Sequence, residues 1–464
     1  MTVLEEIAEI PYEQRKRIPP ELSKTTLKIN GQNTTIENIY KTKLKNAQSE
    51  KSIGKFLKSI PLIPTHSQYW NHPQISGYQP TEILFTQNNI LFNSASQLFN
   101  YSPTENKVTW NYQSEAEYKK DNENGPHQKR FITRHSGDQL FTFTNRNNSG
   151  QKSVKSFDLK GNMLWDMSDQ SISLIEEPLC TPMESQGKLF GFSISNRETI
   201  NTISFCVYDS SNGKLLNRTP ISYIPNNGRD IYCRGIGSNW NTFTHDDHFT
   251  SDNTFVYGYS GSGIILKADS NSGFILWEKG FPKTNRNDGY DYWKTYGSAP
   301  SGYIKLFGDT LLTYMPDIQM FTALNKHTGE YIWKTLFRSP RFIHARGNTE
   351  AVYYSSFDIN NQPLLFKINP QDGQIIWQTP TNGLAINGEG DILDGKLYLP
   401  SEKSLLVFDA KTGAFVNAIN FNLQPLKFRC SPENSVILTS NAAFIFQNDG
   451  KLDTNQIKDI GQAI

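Results

Sequence analysis

A chain of 464 residues with 46 Lys and Arg against 45 Asp and Glu has a formal charge of +1, so nothing in its overall charge draws it toward nucleic acid or an anionic membrane. Aromatic residues make up 12% of it, including 21 Tyr and 28 Phe, a content that suits strand-rich structure. No apolar run approaches the roughly 18 residues that a membrane-spanning helix needs.

The opening stretch, MTVLEEIAEIPYEQRKRIPPEL, lacks a basic start followed by an apolar core. It does not read as a secretory signal, and a cytoplasmic location is expected. Four cysteines, Cys180, Cys206, Cys233 and Cys430, have no CxxC spacing and no close pair, which fits reduced structural thiols in an intracellular protein. Residues 1–75 predict a small N-terminal, partly helical extension. TLKIN reads as a short strand and GQN as a turn. NTTIENIYKTKLKNAQ reads as a helix: Thr34 and Glu37 fit a capping box, and Ile36, Ile39, Tyr40 and Leu44 line one face. SIGKFLKSI follows with Ile53, Phe56, Leu57 and Ile60 at helical spacing. Six lysines from Lys41 to Lys58 stand against the single acid Glu50, a solvated helix face docked on the propeller or else a surface for an anionic partner or membrane. The proline-broken IPLIPTHSQYWNHPQ then crosses to the repeat.

From residue 76 to 464 the chain repeats one signature, Asp/Asn-x-x-x-Gly-x-x-x-Trp. NPQDGQIIW runs from Asn369 through Gly373 to Trp377, NKHTGEYIW from Asn325 through Gly329 to Trp333, and DSNSGFILW from Asp269 through Gly273 to Trp277. In two copies Asn217 and Asn417 take the tryptophan place, after Asp209/Gly213 and Asp409/Gly413. A copy one residue shorter joins Asp158, Gly161 and Trp165; the first keeps Trp110 but has Asn106 at the glycine position, and the last is cut short after Gly450. The turns at 106, 161, 213, 273, 329, 373, 413 and 450 lie 37 to 60 residues apart, close to propeller-blade spacing with room for loops.

Each residue type has a local reason. Asp or Asn can hydrogen-bond the backbone two residues on, and Gly supplies a positive φ for a short hairpin turn. A repeated tryptophan is expected to bury itself, here over the seam between neighbouring sheets. Reading back from the turns gives four strands per unit. In one copy these are Asp391 to Leu393, Lys396 to Leu399, Leu405 to Phe408 and Ala414 to Ile419; in the first they are EILFTQ, NILFNS, QLFNYS and KVTWNY. Eight such units predict an all-β, eight-bladed propeller of four-stranded antiparallel blades. The short strand after Gly450, or a strand donated from before Thr81, is expected to close the ring.

The Asp/Asn-x-x-x-Gly-x-x-x-Trp turn resembles the repeat of pyrroloquinoline-quinone (PQQ)-like, or quinoprotein-like, β-propellers over about residues 78 to 464. That resemblance implies eight blades; for activity it leaves both quinoprotein dehydrogenases and non-enzymatic scaffolds open. GIGSNWNTFTHDDHFTSDNTFVYGYSGSG is reminiscent of the dehydrogenase segment in which a Gly-rich turn precedes Asn-Trp, and Asn239 and Trp240 match it. The family's calcium-binding asparagine has no match, Ser260 or Ser262 standing in its place, and no adjacent Cys-Cys pair occurs. The resemblance therefore implies the fold without the full cofactor-binding pattern, and no bound cofactor or metal is expected.

His245 and His248 of HDDH would point to opposite faces of a strand, so they do not predict a shared metal. Phosphate-cradling, nucleophile-elbow and HExxH motifs are missing from the sequence. What remains is a cluster of residue types common at interface hot spots, Arg234, Trp240, Tyr290, Tyr292 and Trp293, in the added length around blades 3 to 5. The predicted function is a non-catalytic scaffold that binds a protein partner through its face loops at 225–250 and 283–299. The alternatives are a small molecule or glycan in the central cavity, or a PQQ-dependent dehydrogenase.

Overall fold

The computed structural model describes residues 26–29, 32–35, 55–62, 83–86, 88–94, 97–112, 130–145, 153–167, 176–178, 182–196, 200–225, 248–260, 264–280, 303–315, 320–336, 341–342, 351–357, 363–381, 384, 386, 389–401, 404–421, 425–439 and 442–448. Eight antiparallel sheets follow one another as blades of a propeller. Blade 1 holds Ile83–Phe85, Ile90–Ser94, Gln97–Ser102 and Lys107–Tyr112; blade 7 holds Asp391–Leu393, Lys396–Pro400, Ser404–Asp409 and Phe415–Asn420. Both match the strands expected from the sequence to within a residue or two. Blades 2, 4, 5 and 6 have the same order between residues 130 and 380.

Burial follows position in the blade. The third strand of blade 7, Ser404–Asp409, is buried at every residue but the last, whereas the outer strand of blade 4, Ile275–Gly280, alternates between half-buried and exposed. Inner strands lie between two neighbouring sheets and so read as continuous apolar runs; outer strands meet solvent and alternate. Eight apolar clusters account for the core, and each straddles one seam. Leu91 of blade 1 meets Leu140 and Phe157 of blade 2, and round the ring Val436, Leu438 and Ile445 of blade 8 meet Ile90, Phe92 and Tyr101 of blade 1. The remaining six clusters join the blades in between. Eight seams for eight blades is a closed ring.

Closure comes from the N-terminal side. Blade 8 is built of Pro425–Cys430, Asn434–Thr439 and Ala442–Gln447, and its outer place is taken by Lys55–Pro61. Of the two segments expected to compete for that place, the strand from before Thr81 fills it. This corrects the helical expectation for SIGKFLKSI. Phe56, Leu57 and Ile60 have helical spacing, but an open strand edge on Ala442–Gln447 offers a ladder of hydrogen bonds, and tertiary pairing overrides local periodicity. Thr34, read as a helix cap, likewise lies in the strand Gln32–Thr35, paired with Thr26–Ile29 in a separate hairpin. Among the described residues there is no helix, and so none long and apolar enough to cross a membrane. Residues 36–54, the body of the expected helix, lie outside the described residues.

The donated strand copies its neighbours in detail. In blade 7, Phe408 pairs with Phe415 and Val407 with Asn417, a bulge lying between them. In blade 8, Phe446 pairs with Phe56 and Ile445 with Lys58, with a register shift at the same place. Lys58 thus occupies the tryptophan slot.

Candidate functional site

Successive strands in a blade run in opposite directions, so the connections sort onto two faces. One face carries the turn between the first and second strands together with the Asp/Asn-x-x-x-Gly turn; within a blade the two are tied, Ser210 N–H donating to Gly187 O at 3.1 Å and Ala410 N–H to Gly395 O at 2.9 Å. The opposite face carries the hairpins between second and third strands and every connection from one blade to the next.

On the turn face the repeat signature is a clasp between blades. The indole N–H of Trp110 donates to Leu159 O at 2.8 Å, that of Trp165 to Ser210 O at 3.0 Å, and that of Trp333 to Pro370 O at 2.9 Å. Trp277 and Trp377 reach Lys326 O and Ala410 O at 3.3 Å. Each acceptor is the residue that follows the Asp or Asn of the next blade. The ring then lies on that blade's glycine: a Cβ placed on Gly373 would come within 2.7 Å of Trp333 Cδ2, and one on Gly161 within 2.7 Å of Trp110 Cδ2. The glycine therefore answers two demands, a positive φ of 74° at Gly373 and bare backbone under an indole. The seam role expected for the tryptophans holds, and the glycine's part as their platform is added by the structure.

Charged groups on this face serve the same joints. Lys326, in the turn of blade 5, bridges Asp252 of blade 4 at 3.3 Å and Asp309 of its own blade at 3.2 Å. Burial alone would raise the Asp252 carboxyl, but the Phe255 amide and the Lys326 ammonium outweigh it and hold it below the usual range. His327, exposed as expected of a turn residue, contacts Asp309 at 3.3 Å. Buried Lys267 lies 3.7 Å from the centre of the Phe255 ring, and desolvation lowers its ammonium pKa.

A second buried group of charges joins the first strands of blades 7 and 8. Glu389 receives Lys427 Nζ at 2.9 Å and the Arg429 guanidinium, while Arg429 Nη1 donates to Gly390 O at 2.7 Å. Glu389 and Lys427 form a parallel bridge, so the two sheets are continuous at this point. The Cys430 thiol beside them is pushed far above its usual range by burial and by Asp391, which keeps it protonated. Cys206 is buried, its sulfur 3.1 Å from Ser193 Oγ; Cys180 and Cys233 lie outside the described residues.

The opposite face is shaped by blade 3. Its strands Lys188–Asn196, Ile200–Asp209 and Leu215–Pro225 have 9, 10 and 11 residues, against 2 to 7 in all other described strands. Measured from Asp209, nine pairs link its second and third strands, where five link those of blade 7 from Asp409. Its flanking blades have six such pairs (blade 2) and five (blade 4), so an excess of three to four pairs lifts the sheet roughly 10–13 Å beyond them at about 3.3 Å per residue. Two short strands share its first position: Met183–Ser185 pairs with the base of the sheet and Glu176–Pro178 with the raised part.

The connections 226–247 and 281–302 leave the outer strands of blades 3 and 4, so both emanate from this raised face. Arg234, Trp240, Tyr290, Tyr292 and Trp293 belong to them and lie outside the described residues. Of the motifs weighed for cofactor or metal, Ser260 closes the hairpin to Ile264, its N–H donating to Ile264 O at 2.9 Å. His248 is buried with Nδ1 3.0 Å from Tyr259 O, and His245 and Ser262 lie outside the described residues. Among the described residues no group of three His, Cys, Asp or Glu side chains is placed to hold a metal ion.

A family model described as outer membrane protein assembly factor BamB matches residues 152–413. No curated protein matches the chain significantly. Among solved structures, the BamB of Moraxella catarrhalis is similar at a TM-score of 0.56 and 12% identity, over 85% of this chain and 100% of that one. The quinohemoprotein alcohol dehydrogenase of Comamonas testosteroni gives a TM-score of 0.55 and 11% identity over 82% of this chain and 76% of its own. That of Pseudomonas putida HK5 gives 0.52 and 10% over 80% and 74%. At such identities the likeness is one of fold.

Proposed function

Because the chain belongs to the PQQ-like β-propeller family whose model is described as outer membrane protein assembly factor BamB, we propose that it is a non-catalytic scaffold which binds a protein partner on the raised face. The observation that carries this reading is that the long sheet of blade 3 extends on the face where the outer strands of blades 3 and 4 end, at Pro225 and Gly280. The repeat residues are consumed by packing, and recognition falls to chain added beyond the repeat. Arg234, Trp240, Tyr290, Tyr292 and Trp293 supply the aromatic and guanidinium groups that dominate protein interfaces. The family description names an assembly factor, and the extension of that role to this chain is by analogy.

The test joins Trp240→Ala and Trp293→Ala in one full-length chain. A photo-crosslinking group placed at position 290 of the parent captures the partner, and its affinity is then measured with both purified proteins. The double variant is expected to lose binding by 100-fold or more, about 3 kcal/mol, with an unchanged melting temperature. Unchanged affinity places the contact elsewhere, with the lysine-rich segment 41–58 next in line. An unfolded double variant assigns both aromatics to the core. Titration with PQQ and calcium, followed by visible absorption, separates a scaffold from a quinone enzyme: a saturable band from bound quinone would overturn the non-catalytic reading.

A further inference from the structure

The clasp turn of blade 3 carries a pair of residues that can react with each other. The sequence holds six Asn-Gly pairs, and one of them, Asn212–Gly213, falls within the described residues. In such a pair the glycine nitrogen can attack the asparagine side-chain amide, because no Cβ on the glycine screens it. Asparagine is thermolabile for this reason. In blades 2, 4, 5, 6 and 7 the place before the clasp glycine is held by Lys160, Ser272, Thr328, Asp372 and Thr412, none of which has an amide to lose.

The geometry at Asn212 prepares this reaction and also holds it back. Asn212 is exposed, and its Oδ1 accepts the Lys214 N–H at 2.8 Å. That bond spans two residues, so it folds the side chain back over the intervening Gly213 nitrogen. It also polarises the carbonyl on which negative charge would develop. The nucleophile is guarded. Gly213 is buried, and its N–H donates to Asp209 O at 2.8 Å. Trp165 of blade 2 lies on it, Cε3 being 2.9 Å from where a Cβ would stand, and pins the turn by donating to Ser210 O at 3.0 Å. To attack, Gly213 N must give up its proton and release Asp209 O, which requires the turn to leave the indole.

We propose that Asn212–Gly213 is a self-modification site governed by the Trp165 clasp: it reacts when the seam between blades 2 and 3 opens, and its product prevents reclosure. Gly213 N loses its proton to hydroxide and bonds to Asn212 Cγ. The Cγ–Nδ2 bond breaks, and Nδ2 leaves as ammonia with a proton taken from water. Water then opens the five-membered imide at one of its two carbonyls, leaving either an aspartate or an isoaspartate at position 212. One water is exchanged for one ammonia, and nothing is oxidised or reduced.

Either product holds the seam open. Isoaspartate adds one carbon, about 1.5 Å, to the backbone of a turn in which Gly213 has no slack under the indole. Both products exchange the Asn212 Nδ2 donor, 3.1 Å from Asp209 Oδ2, for a carboxylate, so attraction becomes repulsion. Blade 3 has no second indole clasp, since Asn217 stands in the tryptophan slot at its other seam.

The test incubates the full-length protein at mildly alkaline pH and follows position 212 by peptide mass spectrometry, as a mass gain of about 1 Da with fragment ions that separate the two products. A sample in urea sets the rate of the open turn. The parent is expected to convert more slowly than the unfolded chain. Trp165→Ala should convert faster than the parent by roughly tenfold or more, equivalent to about 1.4 kcal/mol of lost closure. Trp333→Ala, the same truncation at another seam, should convert at the parent's rate. Trp165→Phe keeps a ring on Gly213 without the donor to Ser210 O; it should fall between, and it carries the comparison if Trp165→Ala fails to fold. Asn212→Ser copies Ser272, whose Oγ accepts the Phe274 N–H at 3.3 Å. The other five Asn-Gly pairs age alike in parent and Asn212→Ser, so a lower melting temperature in the aged parent isolates position 212. Equal rates in the parent and its Trp165 and Trp333 variants would overturn the proposal. So would an unmodified position 212 in urea, or a fully converted parent that melts like Asn212→Ser aged beside it.

Discussion

Removing the ring of Trp333 tests whether the repeat signature works as a clasp rather than as a set of separate turn residues. Trp333 is half-buried, packs on Gly373 and donates to Pro370 O at 2.9 Å. A fully buried aromatic truncated to Ala costs about 3–5 kcal/mol, so half-burial places Trp333→Ala near the lower end, about 3 kcal/mol, of which the hydrogen bond supplies about 1. Gly373→Ala is harmful for two separable reasons. At a φ of 74° any side chain costs about 1–2 kcal/mol, and the new methyl would lie 2.7 Å from the indole, adding about 1–3 kcal/mol of overpacking. Without the indole the second cost disappears and the first remains. The double variant should therefore be more stable than the sum of the single losses predicts, by about 1–3 kcal/mol. Urea unfolding followed by far-ultraviolet circular dichroism measures all four proteins, since losing a tryptophan alters fluorescence directly. Additive losses, within about 0.5 kcal/mol, would refute the clasp.

The remaining predictions concern the turns and the ring. The Asp409 carboxylate accepts from Thr412 N–H at 2.7 Å, from the Thr412 hydroxyl at 2.8 Å and from Lys411 N–H at 3.0 Å, and these bonds hold its pKa below the ordinary value. A depressed carboxylate stabilises the fold above its unfolded pKa, about 3.9, and loses that contribution as pH falls through the folded value. Asp409→Asn, which copies Asn325 and Asn369 of blades 5 and 6, removes the titration, so the melting-temperature gap between parent and variant should narrow below about pH 4. A gap constant from pH 7 to 3 would show that the charge is immaterial. Deleting residues 1–61 should uncover the edge of Ala442–Gln447 together with Phe444 and Ile445, lowering the melting temperature and promoting aggregation. A chain ending at Asp449 keeps the closing strand and should melt close to the parent; equal behaviour of the two truncations would contradict closure by Lys55–Pro61.

The blades were legible because the signature is local. A positive-φ glycine, an Asp or Asn before it and strands on either side lie within nine residues, and the strands of blades 1 and 7 follow from them directly. The closing strand was illegible for the opposite reason. Phe56, Leu57 and Ile60 satisfy helix and strand alike, and what decides between them is an edge almost the whole chain away. The asparagine of blade 1 could be placed in the turn, and Asn106 indeed has a φ of 50°, but no pattern in the sequence marks Lys58 as its partner. The glycines were assigned to turn geometry alone; their second duty, under a tryptophan of the preceding blade, appears only when neighbouring repeats are stacked. Of the proposed site, topology supplies the common origin of both connections, whereas the five side chains singled out lie outside the described residues.

The seam between blades 3 and 4 ties these threads together. Asn217 stands in its tryptophan slot, and Val207, not an indole, lies against Gly273, 2.7 Å from where a Cβ would be. The missing burial is made up nearer the axis: Phe190, Phe192, Phe205 and Phe249 mass at this seam, with Phe192 stacked on Phe249 at 4.7 Å. Packing has moved inward from the rim, and the ladder of blade 3 is three to four pairs longer than those of its neighbours toward the opposite face. A joint that no longer depends on its rim clasp can tolerate extra chain beside it, because insertion into an outer connection disturbs neither the aromatic cluster nor the longer ladder. The widest interval between turns, 60 residues from Gly213 to Gly273, falls at this joint. At this seam the lost tryptophan goes with inward packing and a longer ladder, whereas loop length does not follow the clasp, since the equally long connection 281–302 stands beside the indole clasp of Trp277.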